Sequence, residues 1–364
     1  MARKTEIAVV GAGPAGMAAA IEAGRAGARV IVIDENQRPG GQLFKQIHKF
    51  FGSEAHRAGT RGVQIGLDLL REAEEAGVAT LLDTVVYGIF SDRCLGLARE
   101  HHTEELEADA VILATGASEN ALAFPGWTLP GVMGAGATQT LIHIHRVLPG
   151  KRALMVGAGN VGLIVSYQLL QAGAKVVAVV EGLPAIGGYG VHASKVRRAG
   201  VPILTGHTVL RAEGREGVER AVIARVDENW KPIAGTERTL EVDTICLAVG
   251  LSPLAELAWM AGCEFRYIPA LGGWVPLHDG NMETTRKGIY VAGDLAGIEE
   301  ASTAMEEGRL AGLAAAQSLG HLTRERGEKK KGEVHKRLAA LRMGSFGEGR
   351  AISKEQILQA RETV

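Results

Sequence analysis

The sequence predicts an α/β protein with two Rossmann-like, three-layer units, on three observations. The stretch IAVVGAGPAGMAAAIEAGRAGARVIVIDE, Ile7 to Glu35, reads as strand, glycine-rich turn, small-faced helix and strand ending in acids. The same order returns in RALMVGAGNVGLIVSYQLLQAGAKVVAVVEG, Arg152 to Gly182. The 364 residues exceed one ordinary core and fit two domains and a tail.

In the first stretch Ile7 to Val10 is a short apolar run rich in β-branched residues, the pattern of a buried parallel strand. Gly11 allows a tight turn out of it. Gly13 lets a pyrophosphate approach the backbone, and Gly16 lets the following helix, read as Met17 to Ala26, pack close to the sheet. Pro14 and Ala15 complete the turn. The helix N-terminus offers free N–H groups and the positive end of its dipole to phosphates. Arg29 to Ile33 is the next strand. Asp34 ends it, 23 residues after Gly11, where a carboxylate accepts bonds from ribose hydroxyls; Glu35 follows. Strand, glycines, helix, strand and acid all coincide, which a lone GxGxxG does not achieve.

The second stretch repeats each part. Ala153 to Val156 is the strand, Gly157, Gly159, Asn160, Val161 and Gly162 fall in the turn, and Leu163 to Gln171 is the helix. Lys175 to Val180 ends at Glu181, 24 residues after Gly157. An acid there favours an unphosphorylated ribose, hence NAD(H) over NADP, although Arg197 and Arg198 lie downstream. ATP, or a purely scaffolding unit, also fits this copy. Two such devices in one chain predict two nucleotide-binding domains: one cofactor held permanently, and another that delivers or removes a hydride.

Composition narrows the rest. Apolar residues make up 46% and charged residues 22%, with 40 basic against 41 acidic side chains, so no global charge points to nucleic acid or an anionic membrane. No apolar run reaches the length of a membrane span, and the N-terminus enters a strand at once, without a signal peptide; a cytoplasmic protein is expected. Cys94, Cys246 and Cys263 are far apart, and Cys246 in the apolar run TICLAV reads as core. His56, His101, His102, His143 and His145 lack partners at ligand spacing, so no metal site is expected.

Three further segments carry a resemblance: ADAVILATGA (Ala108 to Ala117), DTICLAVGLSP (Asp243 to Pro253) and TTRKGIYVAGDLAG (Thr284 to Gly297). In that order, with the two glycine motifs, the chain resembles the two-dinucleotide-domain flavoproteins of the thioredoxin reductase fold. The resemblance implies FAD at the first site and NAD(P)H at a second domain inserted into the first. It implies an FAD domain of residues 1–117 and 286–322, an NAD(P)-binding-like domain of 118–285 and a charged tail of 323–364. It adds Thr115 and Gly116, Gly293 and Asp294, and Ala301 at the start of a helix read as Glu299 to Leu313, to the FAD residues. It adds Gly250 to those of NAD.

GGQLFKQIHKFFGSEAHRAGTRG, GAGATQTL and GIEEASTAMEEGRLAGLAAA narrow the resemblance. They are similar to FAD/nucleotide subunits of heteromeric dehydrogenases of the opine oxidase, proline or hydroxyproline dehydrogenase, hydrogen cyanide synthase and sarcosine oxidase type. Relatives with glycerol-3-phosphate dehydrogenase-like partners are similar too. This implies a partner dehydrogenase subunit, a homo-oligomer, or both. An iron–sulfur centre would come from a partner. The redox CxxC of thioredoxin reductases is absent: Ala135 and Thr138 stand there, and the region after the first unit has no cysteine pair, so disulfide reduction is not expected.

Gly41 would bring the chain close to the flavin, where Gln42 could donate to a carbonyl. Lys45 and His48, three apart, would share a face if helical, the lysine stabilising charge on the flavin and the histidine moving a proton; a solvent-facing or partner-facing role fits them equally. Phe50 and Phe51 read as local core. The helical-period residues Val334, Leu338 and Leu341 suit a partner-docking helix or one folded back on the FAD domain. Two rival functions stay open: a direct amine dehydrogenase, and an electron-bridging subunit without its own turnover.

Overall fold

The computed structural model describes residues 3–50, 53–90, 93–344 and 347–363. The chain folds as two compact units, Met1–Ser118 with Ser252–Val364, and Glu119–Leu251.

In the first unit β1 (Arg3–Val10), α1 (Pro14–Arg25) and β2 (Val30–Ile33) form the first βαβ, with Ile7 to Val10 running parallel to Val30 to Ile33. α2 (Gly62–Glu75) returns the chain to β3 (Ala79–Leu81) beside β2. A meander of β4 (Val85–Ile89), β5 (Cys94–Arg99) and β6 (His102–Leu113) closes back on β1. Burial on both faces explains the apolar strands: Ile7, Ala8 and Val9 are wholly buried. The helix begins at Pro14, three residues before the sequence reading, because proline at the first helical position loses only an N–H that had no partner there.

The chain crosses out through β7 (Ala117–Glu119) into the second unit, which repeats the plan. β8 (Val132–Gly134) leads into α3 (Ala135–Thr140), followed by a π-helical turn at Leu141–His145. Then come β9 (Arg152–Val156), α4 (Asn160–Gln171), β10 (Lys175–Glu181), α5 (Gly190–Arg198) and β11 (Ile203–Thr205). β12 (His207–Glu213), β13 (Arg220–Arg225) and β14 (Arg238–Glu241) form an antiparallel meander, and β15 (Thr244–Leu247) ends the unit. Its parallel sheet has the order β11-β10-β9-β15-β8.

The return strand β16 (Leu251–Pro253) pairs with β7. α6 (Glu256–Met260) and the hairpin β17 (Phe265–Ile268) and β18 (Gly273–Pro276) follow, and β19 (Ile289–Val291) joins β6 in parallel. The sequence reading extended the inserted domain to residue 285. The structure instead turns back at Leu251/Ser252. The reason is packing: Leu257, Ala258, Cys263 and Met282 belong to the same core as Ile7 and Leu113.

α7 (Ala301–Ser318), α8 (Arg324–Leu341) and α9 (Glu348–Glu362) complete the first unit. Glu300 is the N-cap of α7, so the helix starts two residues after the sequence reading. The tail folds back rather than standing apart. Val334 and Leu338 enter the main core, and Ile357 packs with Ile268, Leu271, Val275 and Leu277. Among the described residues no helix is long and apolar enough to cross a membrane.

Candidate functional site

The first glycine turn is shaped by close backbone approach. Gly11 has φ +103°, and a Cβ there would lie 2.3 Å from the Ala114 carbonyl oxygen. A Cβ on Gly16 would lie 1.8 Å from the Gly11 carbonyl oxygen. Gly13 differs: no described atom lies within 4 Å of where its Cβ would be. No described side chain caps α1, whose N-cap is Gly13 itself. An open space therefore lies before a helix N-terminus, with Pro14 and Ala15 forming its first turn. That is the cradle a pyrophosphate needs, so the residues fit a dinucleotide.

The acid at the end of β2 is nearly buried. Asp34 Oδ2 accepts the Ala12 N–H at 2.6 Å, and Oδ1 accepts the Asn36 N–H at 2.8 Å. Its carboxylate thus fixes both the glycine turn and the segment leaving the strand. Glu35 is exposed. The chain then doubles back: Gly40 donates its N–H to Ala12 O at 2.6 Å, and a Cβ on Gly41 would lie 2.9 Å from Gly13 Cα. Gln42 is exposed just beyond, in the 3-10 helix Gly41–Lys45.

Lys45 and His48 do not share a helical face. The 3-10 helix ends at Lys45, because Gln46 turns extended (φ −91°, ψ 90°) and its carbonyl accepts the Val63 N–H. His48 instead stacks with Phe50, ring centroids 6.0 Å apart. Phe50 is buried in the core, and Phe51 lies outside the described residues.

The late motif lands on the first one. A Cβ on Gly293 would lie 2.8 Å from Ala15 Cβ. α7 seats against α1 through glycines four apart: a Cβ on Gly308 would lie 2.0 Å from Ala15 O, and one on Gly312 2.2 Å from Ala19 O. Asp294 thereby comes beside the opening turn of α1, with Ala301 starting α7. Burial pushes the Asp294 carboxyl up to about 6, with Glu307 and Glu300 adding to the rise and Lys354 and the Glu299 N–H opposing it. Thr115 and Gly116 hold the crossing: Thr115 Oγ1 donates to Leu254 O at 2.7 Å and Gly116 O accepts the Leu254 N–H at 3.0 Å.

A buried ion network absent from the sequence reading braces this loop. Glu307 Oε2 accepts the Gly293 N–H at 3.1 Å, while its Oε1 meets Lys354 Nζ and Arg342, each at 2.6 Å. Lys354 Nζ also donates to Ala296 O at 2.8 Å, and Arg342 pairs with Glu299. Burial opposes the charge on Glu307, but Lys354 and Arg342 outweigh it and hold its carboxyl low. Glu306 meets His56, Arg309 and Arg337. The only sequence signal was EE at 306–307 facing a basic tail.

The second unit repeats the first turn nearly atom for atom. Gly157 has φ +107° with its Cβ position 2.2 Å from Ala248 O, and that of Gly162 lies 2.1 Å from Gly157 O. Around Gly159 no described atom lies within 4 Å of the Cβ position. Glu181 Oε2 accepts the Ala158 N–H at 2.8 Å and Oε1 the Leu183 N–H at 3.0 Å. Asn160 Oδ1 accepts the Tyr189 N–H, Val161 is exposed, and Gly250 O accepts the Asn120 N–H. Gly188 donates to Ala158 O at 3.0 Å, and its Cβ would lie 2.8 Å from Gly159 C. It is the counterpart of the Gly40-Gly41 crossing; the paired glycines at 187–188 were the sequence signal for it.

The cysteines have no redox pairing. All three are free; Cys246 is buried, 3.3 Å from Thr138 Oγ1, its thiol pushed up by burial to about 11. Where a cysteine pair would sit in thioredoxin reductases, Ala135 is buried at the start of α3, whose first N–H groups, of Gly136 and Ala137, are capped by Glu119.

Comparison with known proteins agrees with this geometry. Residues 5–308 match the family described as pyridine nucleotide-disulphide oxidoreductase. An opine oxidase subunit of Agrobacterium tumefaciens (strain Ach5) is 32% identical over 86% of this chain and 66% of its own length. Hydrogen cyanide synthase subunit HcnB of Pseudomonas aeruginosa is 30% identical over 84% of this chain and 69% of its own. The chain thus spans just under two thirds of the length of the opine oxidase subunit. The crystal structure of T. acidophilum thioredoxin reductase shares the fold, with a TM-score of 0.71 at 20% identity, covering 87% of this chain and 99% of that one. The chain belongs to the pyridine nucleotide-disulphide oxidoreductase family.

Proposed function

We propose that the protein passes reducing equivalents between NAD(H), held by the second unit, and a second acceptor or partner subunit, by way of FAD held in the first. It would serve as one subunit of a heteromeric amine or imino-acid dehydrogenase, of the proline, opine or sarcosine kind, or of a glycerol-3-phosphate type. The observation that carries the reading is the pair of like-built turns, each with an open space at its middle glycine and an acid pinned to the turn. The unpaired cysteines argue against disulfide reduction, and the names of the relatives as subunits support a partner.

FAD supplies the two-electron chemistry when bound. The chain's own residues do the rest. Gly13 leaves room for phosphate, and α1 directs its N–H groups there. Asp34 would hold a ribose hydroxyl, and Asp294 would face the ribityl and phosphate region. Gln42 would donate to a flavin carbonyl, with Lys45 and His48 as candidates for charge and proton handling. At the second unit Gly159 would leave room for phosphate, and Glu181 would favour the unphosphorylated ribose of NAD.

The test is anaerobic titration of the purified yellow protein with NADH and NADPH. Bleaching of the flavin band, faster with NADH, is expected. No bleaching by either would overturn NAD(H) turnover by this chain and favour an electron-bridging subunit with an adenine nucleotide at the second site. Bleaching by an amine alone would favour direct amine oxidation.

A further inference from the structure

Trp230 combines two features that rarely persist without a role. It lies in the connection between β13 and β14 with φ +61°, a left-handed conformation unusual for a bulky residue, and 58% of its surface is exposed. The turn that imposes this backbone is tightly made. Trp230 N–H donates to Asp227 O at 3.1 Å, and Asp227 Oδ1 accepts the N–H groups of Asn229 and Lys231 at 2.9 and 2.8 Å.

The indole is set against one particular residue. A Cβ on Gly182 would lie 2.1 Å from Trp230 Cζ3 and 2.6 Å from Cη2, so the ring rests on the bare glycine backbone. Gly182 directly follows Glu181, the acid pinned to the second glycine turn. A chain of main-chain bonds fixes the placement: Gly206 N–H to Leu183 O at 3.0 Å, and Val226 N–H to Gly206 O at 2.9 Å. Any side chain at 182 would displace the ring.

In an adenosine the base is attached at the ribose carbon adjacent to the 2′-hydroxyl. A carboxylate that receives that hydroxyl therefore has the base within a few ångströms. Here the exposed indole of Trp230 packs on the residue directly after that acid. We propose that Trp230 is the wall on which the adenine of the second nucleotide stacks, with Gly182 as its seat; this rests on the reading that the second unit holds an adenine nucleotide. Among the described residues the first unit has no counterpart: Glu35 and Asn36 follow Asp34, and Asn36 Nδ2 turns back to Asp34 Oδ1.

The experiment compares the full-length holoprotein with Trp230→Phe and Trp230→Ala, using NADH, ADP and reduced nicotinamide mononucleotide as probes. Loss of base–aromatic stacking is expected to raise the Kd for NADH and for ADP at least about fivefold in Trp230→Ala. Trp230→Phe keeps a ring and is expected to retain most of the affinity. The mononucleotide, which lacks adenine, is expected to bind wild type and variants alike. ADP is expected to quench tryptophan emission in wild type, and this quench is expected to vanish in Trp230→Phe. Unchanged binding of the mononucleotide and an unchanged far-UV circular dichroism spectrum verify that the second unit folds in both variants. Wild-type affinity for NADH and ADP in Trp230→Ala would overturn the stacking role alone. Wild-type protein that binds neither NADH nor ADP would overturn the nucleotide reading with it.

Discussion

At Gly11 an added Cβ would lie 2.3 Å from the carbonyl oxygen of Ala114, just past β6, and at Gly157 it would lie 2.2 Å from that of Ala248, just past β15. The N–H of Gly11 donates to Ile33 O at 2.8 Å, and that of Gly157 to Val180 O at 2.7 Å. Within each βαβ the two copies thus obey one set of constraints. They differ in what surrounds them. The first copy receives Gly293 on Ala15, α7 along α1, and a buried ion network from the chain's last two helices. Segments nearly 300 residues apart converge on one helix N-terminus. The second copy is enclosed by local segments, Gly187 to Tyr189 and the β13–β14 connection, and keeps a large exposed aromatic beside its acid. Under the proposed function this contrast suits a cofactor held for the life of the protein in the first copy. It suits one that exchanges every turnover in the second.

The sharpest way to break that contrast is to remove the brace. Lys354 is 5% exposed at its side chain and meets Glu307 and Ala296 O. Lys354→Met leaves Glu307 buried with one cation fewer and frees the Gly293–Ala296 loop. Breaking a buried pair from one side costs about 3–5 kcal/mol. Denaturant unfolding of the holoprotein should show a loss of that size, together with weaker FAD retention. The comparison variant in the second copy is Glu119→Gln, whose partners are exposed helix N–H groups, and about 1 kcal/mol or less is expected. Equal losses would mean that the two copies are braced alike.

A pH-dependent effect comes next in size. Asp294 lies among Glu307, Glu300, Lys354 and the Glu299 N–H, with its carboxyl raised by burial from 3.8 to about 6. Between those values the native state binds more protons than the unfolded chain, so this group's contribution to stability is full below pH 4 and falls as pH rises through about 6. His278 runs the other way. Burial, then Lys354, lowers it from 6.5 to about 4, with Asp279 and Glu307 opposing. Its contribution is full above pH 6.5 and is lost as pH falls through about 4. Each shift corresponds to at most about 3 kcal/mol, and some solvent access at Asp294 reduces its share. In the FAD-free protein the Asp294 slope therefore offsets part of the opposite rise from His278 and from His56, His143 and His335, which burial also lowers. Asp294→Asn should remove one slope: melting temperature then rises with pH, and above pH 7 the apo variant is more stable than wild type while binding FAD more weakly. A flat profile in the variant would sink this account.

These effects show why some of the fold was legible in the sequence and some was not. Each βαβ is local. Gly11, Gly13, Gly16 and Asp34 lie within one strand–helix–strand, and their spacing is dictated by backbone reach, so the pattern announces itself. The same holds for Gly157 to Glu181. The insertion boundary was misplaced because residues 252–285 carry no periodic signal; they join the first unit through scattered contacts of Leu257, Ala258, Cys263 and Met282. Lys45 and His48 were paired by helical spacing, but Gln46 leaves the helix to bond Val63, a partner no local pattern reveals. Lys354, Arg342 and Glu307 are ordinary charged residues in sequence. Only a tail folded back on α7 makes them a buried network.

The smallest expected effect tests whether the two acids do the same work. Asp34 and Glu181 each accept one N–H from their glycine turn and one from the segment leaving the strand. An amide in either place would present a donor to one of those N–H groups. The unmet donor costs about 1–3 kcal/mol where it is buried and less where water reaches it. Asp34 is 8% exposed, whereas Glu181 keeps more solvent access. Asp34→Asn should therefore cost about 1–2 kcal/mol in unfolding of the FAD-free protein, and Glu181→Gln about half as much. Under the proposed function nucleotide affinity separates them further, because Glu181→Gln would remove a charge that disfavours a 2′-phosphate. The ratio of NADPH to NADH affinity should rise in that variant and stay at its wild-type value in Asp34→Asn. A ratio unchanged in Glu181→Gln would mean that this carboxylate serves only to pin the turn, and that nucleotide choice is made by other groups such as Arg197 and Arg198.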